Sequence, residues 1–173
     1  MRARRGIFKS EPAERAGMEE MGDVAGIFAR ESQYLERYVQ LGIASGRVLS
    51  VSFPETPDEE SESEHELLDR IEAYLEGVED EFDDVEVALT VPTDQRRALD
   101  RVREVPYGDQ IDVETLARMT SGIDHAEEDD LNTVRTALTE NPAPLVIPDH
   151  RVRDGPSAAP PAVEQKLRSL EGL

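Results

Sequence analysis

Two short stretches near the start of the chain alternate apolar and polar residues. They cover residues 35–43 and 49–53, and a Ser-Gly pair at 45–46 separates them. Alternation turns every second side chain to the same face of an extended strand, so two such stretches around a short turn predict a β-hairpin. The pattern places Leu49 on the buried face of the second strand.

A third strand and one helix complete the predicted first half. Residues 85–91 alternate again and predict the strand, whereas residues 54–64, PETPDEESESE, are acidic and contain proline, which is typical of a loop. Between these two segments, one helical face is indicated by Leu67, Leu68, Ile71 and Leu75. Residues 26–91 are therefore predicted to form a small α/β domain. Residues 1–25 start basic, lack the apolar core of a signal peptide and are predicted to be a disordered tail.

The second half carries apolar residues at helical spacing. Thr93 is a candidate N-cap for a first helix, and Asp112 is a candidate N-cap for a second, which runs through Thr120 with Gly122 as its stop. A third helix is predicted at about residues 127–139. Two short helices joined by a tight turn that contains glycine indicate a helix-turn-helix.

The end of the chain adds a strand and a helix. Residues 145–147, Leu-Val-Ile, predict a short strand, and a last helix ends at Glu171-Gly172. Residues 92–173 are therefore predicted to form a helical, winged-helix-like domain with a helix-turn-helix. The fold class expected for the whole chain is a small α/β domain followed by this helical domain.

The charge of the chain changes which partners can be excluded. The 173 residues carry a formal net charge of -20, only Lys9 and Lys166 are lysine, and there is no cysteine. These features predict a protein of a salt-adapted organism; the alternative is an ordinary acidic protein. Because concentrated salt screens charges over a few ångströms, the acidic surface does not exclude DNA. No apolar run is long enough for a membrane span, so we expect a cytoplasmic monomer without membrane contact.

Several motifs of the second half are specific when they occur in this order. Residues 105–108 read Val-Pro-Tyr-Gly, residues 141–148 read Asn-Pro-Ala-Pro-Leu-Val-Ile-Pro, residues 149–152 read Asp-His-Arg-Val, and residues 170–172 read Leu-Glu-Gly. With these motifs the chain resembles the alkylguanine-DNA alkyltransferases, also called methylated-DNA–protein-cysteine methyltransferases. The resemblance is close from residue 93 onward and looser before it.

The resemblance implies a DNA repair protein. In that family an α/β domain packs on a helical domain whose helix-turn-helix enters the minor groove, and the damaged guanine is flipped into a pocket beside a Pro-Cys-His-Arg signature. The cysteine takes the alkyl group, and a histidine bonded to a glutamate generates its thiolate. No cofactor is implied, and the three histidines of this chain lack the spacing of a zinc site.

Placed on this chain, the family's catalytic network lacks its nucleophile. His150 and Glu171 match the histidine and the glutamate, Asn141 matches an asparagine that braces the active-site turn, and Arg151 completes the signature. Asp149 stands at the cysteine position. A carboxylate is a far weaker nucleophile than a thiolate toward an unactivated methyl carbon, so we predict no methyl transfer.

Three other roles remain open for Asp149. It could act in a hydrolytic relay with His150 and Glu171, it could form a local ion pair with His150, or it could accept a hydrogen bond from the exocyclic amine of a flipped base. The resemblance also includes alkyltransferase-like proteins that lack the cysteine, carry tryptophan or alanine there, and flag alkylated guanine for excision repair.

The positions that would contact DNA also depart from the family pattern. Val113 replaces a tyrosine that helps to rotate the nucleotide, and Asn132 replaces an intercalating arginine. Arg135, one turn along, is either a substitute for that arginine or an ordinary solvated side chain. Tyr107 and Arg151 complete the predicted DNA-contacting set.

Two functions from different classes follow from these residues. The first is a DNA-binding protein that recognises alkylated guanine in duplex DNA without methyl transfer and has excision-repair partners. The second is a degenerate scaffold that has lost DNA binding and acts as a protein-interaction module. The Pro-x-His-Arg turn and Glu171 favour the first function, whereas Val113, Asn132 and the short loop 154–161 favour the second. A continuous basic strip would favour DNA, and its expected members are Arg96, Arg97, Arg118, Arg135 and Arg151.

Overall fold

The computed structural model describes residues 25–173, so the predicted tail lies outside the described residues except for residue 25. The described chain starts with a three-stranded antiparallel sheet of β1 (Gly26–Ser32), β2 (Arg37–Ala44) and β3 (Arg47–Ser52), in the order β1-β2-β3. The predicted hairpin is confirmed as β2 and β3. β1 was not predicted, because its buried residues Phe28 and Ala29 are adjacent and do not alternate.

A bulge in the hairpin reverses the predicted direction of Leu49. Gly42 pairs with Ser50 but Ile43 pairs with Val48, so Leu49 is an extra residue between the two pairs. Val48 is therefore the buried residue, and Leu49 is 47% exposed. Because side chains alternate with period two, one inserted residue changes which sequence positions face the core: Val51 and Phe53 stay buried, but before the bulge Val48 replaces Leu49 on the buried face.

The predicted strand at residues 85–91 is not formed. This segment meets β3 through one isolated parallel bridge, Val48 to Val87, with backbone hydrogen bonds of 2.9 Å on either side of it. Further along the same strand, the N–H of Val51 donates to the carbonyl of Pro142 at 2.9 Å. Part of the edge of β3 is thus taken by a turn from the second half of the chain.

Helix α1 (Glu66–Leu75) packs on the sheet with the predicted apolar face. The Nδ1 atom of His65 accepts a hydrogen bond from the N–H of Leu67 at 3.0 Å and so caps the helix, and the ring lies 4.7 Å from that of Phe28. His65 is therefore half-buried and structural, although its neighbours in the sequence are acidic. Burial lowers its pKa to about 4.

Four helices make up the second half: α2 (Thr93–Val102), α3 (Val113–Met119), α4 (Glu128–Thr139) and α5 (Pro161–Glu171). Asp112 caps α3 as predicted, because its carboxylate accepts a hydrogen bond from the N–H of Thr115 at 2.8 Å. Thr93 does not cap α2; it is the first helical residue, and Pro92 holds the cap position without a side-chain bond. The α3–α4 pair has the predicted helix-turn-helix order.

A tight turn replaces the predicted strand at residues 145–147. The N–H of Ile147 donates to the carbonyl of Ala143 at 2.8 Å, and Leu145 adopts a positive φ of 82°. The three residues are buried on every side, which explains a continuous apolar run without a strand. This turn leads into a short 3-10 helix, Asp149–Arg151, which carries the signature residues.

The apolar side chains of both halves form one buried cluster, from Phe28 in the sheet to Leu167 in α5. The boundary predicted near residue 91 therefore does not divide the core. Within the described residues, no helix has the length and apolar character required to cross a membrane.

Candidate functional site

Asp149 is buried beneath the loop that follows the signature, with 1% of the residue exposed. One carboxylate oxygen accepts a hydrogen bond from the hydroxyl of Ser157 at 2.6 Å. The other accepts from the backbone N–H of Ala158 at 2.9 Å and from Nδ2 of Asn141 at 3.0 Å. Burial raises the pKa of Asp149 to about 6, although these three donors and nearby His150 act in the opposite direction.

Asn141 stabilises the turn that leads into the 3-10 helix with the signature residues. Its Nδ2 donates to the carbonyl of Ile147 as well as to Asp149, both at 3.0 Å, and its Oδ1 accepts from the N–H of Ala143 at 3.0 Å. All of the amide group's contacts thus fall on one turn of nine residues, which fixes the position of Asp149 relative to α4.

Glu171, at the end of α5, lies at the centre of a second buried network. Its carboxylate accepts two hydrogen bonds from Arg151, at 2.9 and 3.0 Å, and one from Nε2 of His150 at 2.8 Å. The hydroxyl of Tyr74 and the N–H of Gly108 also donate to it. Burial alone would raise the pKa of Glu171, but the bonds from His150, Arg151 and Tyr74 outweigh it and hold the pKa well below its usual range.

Arg151 joins this network to both halves of the chain, through Val105 in the second half and Glu81 in the first. Its guanidinium group also donates to the carbonyl of Val105 at 2.6 Å and to Glu81 at 3.1 Å. Because the guanidinium is bonded on all sides and only 2% of the residue is exposed, it does not reach the surface. This position is at odds with the sequence-based assignment of Arg151 to DNA contact.

The two buried networks do not form one relay. Among the described residues no hydrogen bond joins Asp149 to His150, and the Nδ1 atom of His150 is buried without a partner. The local ion pair with His150 is therefore not formed, because Asp149 takes its donors from Asn141, Ser157 and Ala158. The hydrolytic relay lacks the contact that would couple its first two members.

The loop after the signature is fastened at its start as well as at Asp149. The carboxylate of Asp154 accepts a hydrogen bond from the N–H of Val113 at 2.7 Å. Gly155 packs so closely that a Cβ atom there would lie 2.7 Å from Leu138 and 3.1 Å from Val113. Val113, at the tyrosine position, is thus buried beneath the loop rather than exposed to a ligand.

Known proteins with similar sequences are methyltransferases. The chain is 32% identical over 109 residues to the methylated-DNA–protein-cysteine methyltransferase of Methanopyrus kandleri, covering 62% of this chain and 78% of the relative. It is 30% identical over 117 residues to that of Archaeoglobus fulgidus, covering 68% and 74%. No family model matches the chain.

The chain belongs to the methylated-DNA–protein-cysteine methyltransferase family. The family predicted from the motifs is thereby confirmed.

Solved structures of other proteins share the fold of this chain. The O6-methylguanine-DNA methyltransferase of Pyrococcus kodakaraensis superposes with a TM-score of 0.63 at 20% identity, covering 86% of this chain and all of that one. The Mycobacterium tuberculosis enzyme in complex with DNA gives 0.62 at 19% identity, covering 83% and 89%. The predicted fold class, an α/β part followed by a helical part, is confirmed.

Only two of the five predicted DNA-contacting residues of this methyltransferase homologue lie together on its surface. Asn132 is exposed on α4, and its Oδ1 accepts a hydrogen bond from Arg135 at 2.7 Å; Arg135 also pairs with Glu128 at 3.0 Å. Tyr107 is half-buried, edge-on to Tyr74 with the ring centroids 5.9 Å apart. The structure thus brings Asn132 and Arg135 together on the surface, whereas Val113 and Arg151 are buried.

The expected basic strip is interrupted. Arg118 pairs with Glu114 at 3.2 Å and Arg97 lies 3.8 Å from Asp94, so acidic neighbours offset both charges. Arg151 is removed from the strip by its burial. The expected strip of arginines therefore does not provide the continuous positive face that would favour DNA.

Three hydrogen-bond donors to the carboxylates of the site were not predicted from the sequence. Ser157 and Ala158 supply donors to Asp149, and Tyr74 supplies one to Glu171. Tyr74 carried a usable signal, because a tyrosine on the apolar face of a helix needs a partner for its hydroxyl. Nothing in the local sequence of the loop distinguishes Ser157 from an ordinary turn residue.

Proposed function

We propose that this protein binds duplex DNA carrying alkylated guanine and does not transfer the alkyl group. The observation that carries the proposal is Asp149, which stands where the signature of the family has its acceptor cysteine. Its buried carboxylate accepts hydrogen bonds from three donors. Its oxygens are engaged, and a carboxylate is a poor nucleophile toward a methyl carbon. The chain has no cysteine elsewhere to replace it.

The DNA part of the proposal is supported by the family and by α4. The relatives are named as acting on methylated DNA, and one protein with the same fold was crystallised with DNA. α4 is the second helix of the helix-turn-helix, the element that contacts DNA bases in such motifs, and it exposes Asn132 and Arg135. Excision-repair proteins are the partners that a non-transferring binder would need.

The protein is expected to bind a duplex with one O6-methylguanine more tightly than the unmodified duplex. Fluorescence anisotropy in molar potassium chloride measures this, because such salt screens the acidic surface. Arg135→Gln is expected to weaken binding to both duplexes. The matched control is Arg47→Gln, which removes an exposed, glutamate-paired arginine from the sheet. Equal loss in the two variants, or no preference in the wild type, would contradict the proposal.

No methyl transfer is expected from the methylated duplex. Intact-mass spectrometry after prolonged incubation should show an unchanged protein, and the DNA should keep its methylated guanine. A mass increase by one methyl group would contradict the prediction, and peptide mapping would identify the acceptor.

The second candidate function is a protein-interaction scaffold without DNA binding. It is favoured by the first turn of α4, where Glu128, Asp129 and Asp130 are acidic, and by the pairing of Arg135 with Glu128. Weak and equal binding of both duplexes would support this candidate over the first.

A further inference from the structure

Three hydrogen-bond donors converge on the side chain of Asp149. The hydroxyl of Ser157 meets one carboxylate oxygen at 2.6 Å, and the N–H of Ala158 and Nδ2 of Asn141 meet the other at 2.9 and 3.0 Å. Both oxygens are therefore bound from separate sides. Such a donor set suits a carboxylate group whether or not the group is attached to the chain.

The two side-chain donors are oriented by contacts that do not involve Asp149. Oδ1 of Asn141 accepts from the N–H of Ala143, which directs the Nδ2 group toward Asp149. The hydroxyl oxygen of Ser157 accepts from the N–H of Ala159 at 3.0 Å, which leaves its proton available for donation. The donors are thus arranged before any carboxylate binds.

The loop that carries two of these donors is held independently as well. Asp154 bonds the N–H of Val113, and Gly155 is packed against Leu138. At the other end, Pro160 and Pro161 restrict the backbone where α5 begins. Removal of the Asp149 carboxylate is therefore expected to leave a cavity rather than a collapsed loop.

We propose that Asn141, Ser157 and Ala158 form a carboxylate-binding site whose resident ligand is the side chain of Asp149. This proposal does not depend on the proposed DNA function, because every contact in it lies within the chain.

Formate is the probe for the site, because it is a carboxylate small enough to replace the truncated group. The melting temperature of Asp149→Ala is expected to rise with sodium formate, in a saturable manner, above its value in sodium chloride of the same ionic strength. The wild type and Asp149→Asn should respond equally to the two salts, because their own side chains fill the site. A folded Asp149→Ala protein without a formate-specific rise would overturn the proposal.

Two further measurements keep the result decisive. Adding Ser157→Ala to Asp149→Ala removes one donor and is expected to weaken the response to formate. Should Asp149→Ala be unfolded in chloride, formate is expected to restore its far-ultraviolet circular dichroism. An Asp149→Ala chain that stays unfolded in formate while Asp149→Asn folds would count against the site.

The formate titration involves no DNA. If no variant binds DNA, the proposed function fails, but the formate titration still decides the carboxylate site.

Discussion

Replacing Glu171 with glutamine is expected to lower the free energy of unfolding by about 3–5 kcal/mol, the usual effect of removing one partner from a buried ion pair. Glu171 neutralises Arg151 through two hydrogen bonds, and both side chains are almost completely buried. Glutamine is close in shape but leaves the guanidinium, among the described residues, with Glu81 as its one charged partner. Its amide nitrogen would also face a hydrogen-bond donor in place of an acceptor.

Urea denaturation at neutral pH measures this loss. The matched control is Glu128→Gln, which removes the carboxylate from the exposed pair with Arg135 and is expected to change stability by less than about 1 kcal/mol. Similar effects of the two substitutions would mean that the network around Glu171 adds no more than a surface pair.

Replacing Asp149 with asparagine is expected to change how stability depends on pH. The pKa of Asp149 is raised from 3.8 to about 6, so the folded protein holds this proton more tightly than the unfolded chain. The contribution of Asp149 to stability is therefore fully present below about pH 4 and is lost as the pH rises through 6. At neutral pH the loss is roughly 3 kcal/mol, from about 1.4 kcal/mol per pKa unit.

Asparagine fits the same contacts without the charge. Its oxygen can accept from Asn141 and Ala158, and its amide can donate to the hydroxyl of Ser157. Asp149→Asn is thus expected to be more stable than the wild type at neutral pH, with an advantage that shrinks by roughly 3 kcal/mol toward pH 4.

Urea denaturation of both proteins across this pH range tests the prediction. The titrations of His65 and Glu171 are common to both proteins and cancel in the difference. Asp94→Asn, an exposed position in α2, controls for the removal of one carboxylate. A difference between Asp149→Asn and the wild type that does not vary with pH would show that burial leaves Asp149 unperturbed.

Local patterns predicted the elements whose burial is one-sided. α1, α4 and the hairpin were found because their apolar residues repeat with one period. The predictions at residues 85–91 and 145–147 were wrong because both segments are apolar for other reasons: one touches the sheet at a single bridge, and the other is a turn buried on all sides. The bulge at Leu49 depends on how two strands pair, which neither strand specifies alone.

The site was predictable only as far as the motifs extend. Asn141, Asp149, His150 and Glu171 follow from their order in the chain, and the structure places all four in buried networks. Tyr74 lies 97 residues from its partner Glu171, so no local pattern connects them. The burial of Arg151 was also invisible, because a motif gives the position of a residue and not the direction of its side chain.

The hydrogen bond between Tyr74 and Glu171 has a consequence for cooperativity. It joins the helix that covers the sheet to the last helix of the chain, and Glu81 adds a second link by bonding Arg151 and the backbone of Tyr107. If either half opened alone, Glu171 or Arg151 would lose part of its polar shell while still buried. We therefore expect the two halves to unfold together, even though the sequence pattern changes near residue 91.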